Sequence, residues 1–236
     1  MAITTTTLTK AAGLAAVAAG LTFIGVQVGH PHLDAESITT TEVAVRTAFK
    51  VLMAALAVVG ITGMYLRQVT RTGVLGLVGY VVLSAGYLLI MSTTIVAGFA
   101  LPAIADTDPG YVNDVIEAST GGSATGDIGL LQPILQLQGV FYLAGGLLFG
   151  VALFRARVLA RWAAALLAVG GLASVALSQM PDAFYRMLAV PNAVAMIGLG
   201  YSLWSITRAA QATDETSEGQ TSEGPVVPTP AASAGA

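Results

Sequence analysis

The sequence predicts an all-α polytopic membrane protein, a bundle of six transmembrane helices with both termini in the cytoplasm. Three observations predict it. The chain is 55% hydrophobic and 10% charged, with a mean hydropathy of +0.78, whereas soluble domains carry roughly 25% charged residues. Its apolar residues gather into runs that can cross a hydrocarbon layer of about 30 Å, which takes about 20 helical residues. Seven of its ten Lys and Arg residues flank those runs on one side.

The six runs are Ala11 to Val28, Thr47 to Leu66, Val74 to Leu101, Ile134 to Phe154, Trp162 to Met180 and Met187 to Ile206. Lys10 precedes the first, Arg67 and Arg71 join the second to the third, Arg155, Arg157 and Arg161 join the fourth to the fifth, and Arg208 follows the sixth. Basic residues in short connections mark the cytoplasmic side, so three loops face outward. Those loops hold nine of the thirteen acids, among them Asp34, Glu42, Asp108, Asp114 and Glu117. Lys10 and the triplet Ala16-Val17-Ala18 also have the outline of a signal peptide, but the apolar run continues about ten residues further, so a retained first helix is expected.

Between the third and fourth runs, residues 102–129 form the longest outer loop. Asp108 suits a helix cap, Pro109 a first helical position, and Tyr111, Val112, Val115 and Ile116 recur at helical spacing. A short helix lying on the outer surface is expected there. The glycines and small polar residues from Ser119 to Gly126 make a flexible return, which would let the loop move as a lid. Residues 1–208 thus form one transmembrane domain. Residues 209–236, and from Gln211 almost without bulky apolar residues, read as a disordered cytoplasmic tail.

Several function classes are excluded or disfavoured. Without cysteine there are no disulfides, thiolate nucleophiles or Cys-based metal sites, and no cofactor is predicted. No basic stretch interleaved with aromatics exists to bind nucleic acid. No Asp or Glu lies within a run, as a proton-coupled pump would need. Pro31, Pro102, Pro133, Pro181 and Pro191 stand at the outer ends of the helices rather than at the midplane, where transporters break theirs.

The candidate site comes from depth. Counting about 16 to 18 positions from the inner basic residue reaches a polar residue in most of the helices: Gln27, Lys50, Gln138, Ser178 with Gln179, and Asn192, roughly 25 Å above the inner boundary. Gln136 and Arg46 extend this polar layer upward, and Arg186 stands near its rim. The simpler alternative is that long polar side chains near helix ends snorkel to the headgroups singly. The functional alternative is one outward-facing, amide-rich and basic pocket for a lipid or small anionic amphiphile, built from Gln27, Arg46, Lys50, Gln136, Gln138, Arg186 and Asn192. His30, His32 and Asp34 form a weaker, metal-type cluster in the first outer loop, short of the ligands a zinc site requires.

The stretches Phe23-Ile24-Gly25-Val26-Gln27, Gly145 to Arg157 and Arg161-Trp162-Ala163-Ala164 resemble actinobacterial integral membrane proteins of a domain-of-unknown-function type. The resemblance covers most of residues 1–208. It implies a plasma-membrane location and brings no activity with it. The function expected is non-enzymatic: binding a lipid or amphiphile from the outer leaflet, or acting as the membrane partner of another protein. A small permease or channel is the alternative, and an outer-face membrane enzyme the third reading.

Overall fold

Capping residues decide where the helices begin. In the computed structural model, residues 4–29, 32–177 and 189–222 are described, with backbone only for 171–177, 189 and 214–222. Helix α1 (Thr5–Gln27) starts where the Thr4 hydroxyl accepts the Thr7 N–H at 3.2 Å, and α2 (Thr41–Arg67) where Thr40 does the same for Val43. Only Gln68 separates α2 from α3 (Val69–Ile95), and Gly73, at φ +58°, kinks α3 after its first turn with a conformation that a side chain would oppose. The backbone continues from α3 through a π-helical turn, Val96–Ala100, and a tighter turn, Leu101–Ile104.

Helix α4 (Pro109–Ser119) begins as its sequence predicts, with Asp108 accepting the Tyr111 N–H at 3.0 Å and Pro109 in the first position. Helix α5 (Leu131–Ala156) ends on Arg157 in the left-handed conformation, α6 covers Arg161–Leu177, and α7 covers Ala189–Ser222. The last helix therefore continues past Gln211, where the composition turns polar. Ala, Gln and Glu in that stretch are good helix formers, and extending a helix is easier than starting one.

Every described element is helical, and four helices are long and apolar enough to cross a membrane: α1, α2, α3 with its two following turns, and α5. Their outer faces carry exposed Leu14, Leu21, Val59, Val81, Leu88 and Val140, a belt better matched to lipid than to water.

The long helices close a ring in chain order. Helix α1 packs on α2, α2 on α3, α3 on α5, α5 on α6, α6 on α7, and α7 returns to α1. Small residues bring the two tightest pairs together. A Cβ on Gly79 would come within 2.5 Å of the Phe149 amide nitrogen, and one on Gly200 within 2.5 Å of the Gly13 carbonyl. Phe149, Ile61, Met64, Leu83 and Leu153 fill the interior, all almost wholly buried.

Beyond the ring, at the end opposite the Arg67, Arg155 and Arg208 side chains, a second apolar cluster forms. Val112, Val115 and Ile116 of α4 pack on Leu101, Ala105, Ile128 and Leu135, with Ile38 and Val43 beside them. The stretch between α3 and α5 is therefore a cap with its own core. The return from Ser119 is tied down as well: Asp114 accepts the Thr125 N–H at 2.8 Å, the Thr125 hydroxyl at 2.9 Å and the Gly126 N–H at 3.1 Å.

Candidate functional site

Beneath that cap lies a cavity of about 860 Å³. Its walls come from the last residue of α1 (Gln27), one face of α2 (Thr47 and Lys50), the end of α3 (Thr93 and Thr94) and the second turn of α5 (Leu135 and Gln138). Its roof comes from the cap, with Asn113, Glu117 and Ser119 of α4 and His32 and Asp34 of the first connection. Lys50 stands nine residues into α2, so at 1.5 Å per residue its backbone lies about 14 Å below the top of that helix. The arrangement is polar at depth and acidic at the roof. Ile38, Val43, Ile116, Leu131 and Leu135 provide apolar wall between.

Of the residues expected from depth, the fold brings Gln27, Lys50 and Gln138 to this one cavity. Gln138 is positioned by Thr93, whose hydroxyl donates to its Oε1 at 2.6 Å. Three others stand elsewhere. Arg46 turns toward the end of α1: its Nη1 donates to the Val26 carbonyl at 3.3 Å and the Val28 carbonyl at 2.9 Å, its Nη2 donates to Gly29 at 3.1 Å, and Nε donates to Glu42. Val26 is one of the last carbonyls of α1, which lack intrahelical partners, Val28 and Gly29 follow the helix end directly, and a planar cation suits such a cluster. Gln136 is exposed on the outer face of α5, two residues and so about 200° around the helix from Gln138.

Asn192 points into the ring. It is 3% exposed, and its Nδ2 donates to the Tyr142 hydroxyl at 2.8 Å. Tyr142 follows Gln138 by one turn on α5, so Asn192 lies a turn below the cavity's level, and Tyr87 meets the Tyr142 ring edge-on at 5.5 Å. Arg186 and His30 lie outside the described residues, as do Ser178 and Gln179.

Of the metal-type cluster, His32 and Asp34 line the cavity, and Asp34 also holds a turn. Asp34 Oδ1 accepts the Ser37 N–H at 2.7 Å and the Glu36 N–H at 3.1 Å, which holds its carboxyl below the usual carboxylate range, chiefly through Ser37. Among the described residues no group of three or more His, Asp or Glu side chains is placed to hold a metal ion.

Sequence reasoning missed the hydroxyls Thr47, Thr93 and Thr94 and the cap residues Asn113 and Glu117. Thr47 was legible, one turn before Lys50 on the same face. Gly98 explains the rest of that contact: it lies in the π-helical turn, and the Thr47 side chain occupies the space where its Cβ would be. π-turns concentrate at functional sites, where they re-aim a helix, and this one borders the cavity at Ala97. Compared with family models, curated proteins and solved structures, the chain matches none.

Proposed function

We propose that this is a six-span plasma-membrane protein with both termini on the cytoplasmic side, of the actinobacterial type its sequence resembles, and that its capped cavity binds a lipid or small amphiphile entering from the outer leaflet. The observation that carries the reading is the convergence of Gln27, Lys50 and Gln138, from three helices, on one cavity with apolar wall between its polar floor and its roof. Isolated snorkelling would not require three helices to aim polar groups at a common space. An amphiphile fits because pockets of this kind bury apolar surface and orient the ligand with a few polar groups. Lys50 would meet the anionic part of the headgroup, and the two amides and Thr93 would supply hydrogen bonds. Positioning of α4 over the cavity makes the cap the element that admits or retains the ligand.

A permeation role has less support, because Phe149, Ile61, Met64, Leu83 and Leu153 fill the ring below the cavity. Of the polar contacts within it, Thr62 with Tyr80 at 3.3 Å joins the neighbours α2 and α3, and Asn192 with Tyr142 reaches across from α7 to α5; both act as interhelical bonds do in membranes.

The test is native mass spectrometry of gently solubilised full chain, wild type beside Lys50→Ala and Gln138→Leu. A defined adduct retained by wild type and lost in both variants supports the cavity and identifies its ligand. A bare wild-type chain, or adducts identical in all three, overturns the reading.

A further inference from the structure

A second hollow opens at the opposite, basic end, between the start of α1, the last turns of α2 and the far part of α7, with a volume of about 700 Å³. Its polar and apolar residues are ordered along its length. Arg67, Thr5, Thr6 and Gln211 stand at the mouth, and Val58, Val59 and Ala12 form the floor. From Arg67 to Val58 the groove follows nine residues of α2, about 14 Å, close to the depth of one leaflet of a hydrocarbon layer about 30 Å thick. A groove polar at the interface and apolar for one leaflet below matches a phospholipid rather than a soluble molecule.

Charge selects among phospholipids. Among the described residues the lining holds Arg67 and no carboxylate. Lys10, next in sequence to the lining residue Thr9, is a second cation near the hollow; its ammonium donates to the Gln211 side chain and ties α1 to α7. The mouth also receives the start of α1, a 23-residue helix whose Thr7 N–H is capped by Thr4 and whose dipole favours an anion. The capped cavity differs, with Asp34 and Glu117 among its lining residues.

We propose that this hollow is a second ligand site, specific for an anionic phospholipid of the leaflet at the basic end. Its phosphate is held between Arg67 and the first turn of α1, and one acyl chain lies along α2 as far as Val58. The site is separate from the capped cavity and stands whether or not that cavity binds a ligand.

Full-length protein is titrated with phosphatidylglycerol and with phosphatidylcholine of identical chains, and retained lipid is read by native mass spectrometry. Wild type is expected to retain one phosphatidylglycerol in preference to phosphatidylcholine. Arg67→Gln should lower phosphatidylglycerol affinity about fivefold. Val59→Trp, which fills the groove from its half-exposed wall, should remove both lipids while leaving the melting temperature near wild type; Lys50→Ala should leave this adduct intact. Equal retention of the two lipids by wild type, an unchanged Arg67→Gln, or loss of the adduct in Lys50→Ala would overturn the assignment. Displacement of the lipid by millimolar glycerol phosphate would also overturn it, because the site would then recognise a free anion without its chain.

Discussion

Arg46 closes the end of a helix that is not its own. Its three bonds to the carbonyls of Val26, Val28 and Gly29 replace partners that α1 lacks beyond Gln27, and they fix α1 to α2 just above the cavity. Arg46→Ala should therefore lower stability by about 1.5–3 kcal/mol, the range for hydrogen bonds to a charged group. Arg46→Lys should recover little, since an ammonium cannot reproduce the planar fork; thermal unfolding in detergent checks both. Depth along the sequence could not distinguish this role from a ligand contact, because an arginine reaches several ångströms in either direction from its helix. Asp114 governs the cap in a similar way. Three donors from Thr125 and Gly126 hold its carboxyl below the ordinary carboxylate range, led by the Thr125 backbone N–H. A lowered folded-state value means the bond contributes fully above the ordinary range and is lost as pH falls through the lowered value. Proteolysis within residues 120–130 should thus stay slow down to the ordinary carboxylate range and accelerate below it, and Asp114→Asn should abolish that acid dependence.

At the scale of the element, glycine positions separate contact faces from free ones. Gly79 of α3 lies against the α5 backbone, so Gly79→Ala should destabilise by about 1–3 kcal/mol through overpacking. Gly25 of α1 has open space around it, with nothing within 4 Å of where a methyl would sit, and Gly25→Ala should leave stability unchanged or raise it by up to about 1 kcal/mol. Denaturation of the two variants under one condition makes the comparison. Neither outcome could be read from the sequence, where both residues are glycines in apolar runs. Helix α4 was legible in the sequence, because the Asp108-Pro109 start and the spacing of Val112, Val115 and Ile116 are local signals. What these side chains pack against was not. Leu101 and Ala105 reach them only because α3 passes into a π-helical and then a tighter turn, and no short-range pattern announces that change of pitch.

For the whole molecule, the proposed orientation is open to a direct test in this cysteine-free background. Thr107→Cys, at the capped end, should react with an impermeant maleimide on intact cells, and Thr70→Cys, at the basic end, only after permeabilisation. Labelling of Thr70→Cys alone would invert the topology. The existence of long apolar helices was legible from composition, but their order around the ring was not, since one apolar run resembles another and only the glycine contacts decide which faces meet. The same limit held for the cavity: the level of its polar residues followed from counting along helices, and their convergence depended on rotation about each axis. The closed ring also has a consequence for biosynthesis. The face of α1 that carries Gly13 and Gly20 leaves the ribosome about 170 to 190 residues before its counterpart residues, Ala193 and Gly200 of α7. Helices α3 and α5 can mate while synthesis proceeds, whereas α1 must wait beside them with its seam against lipid or an insertion factor. A nascent chain halted before α7 would leave open seams on both α1 and α6, the kind of surface by which membrane quality control recognises an unfinished protein.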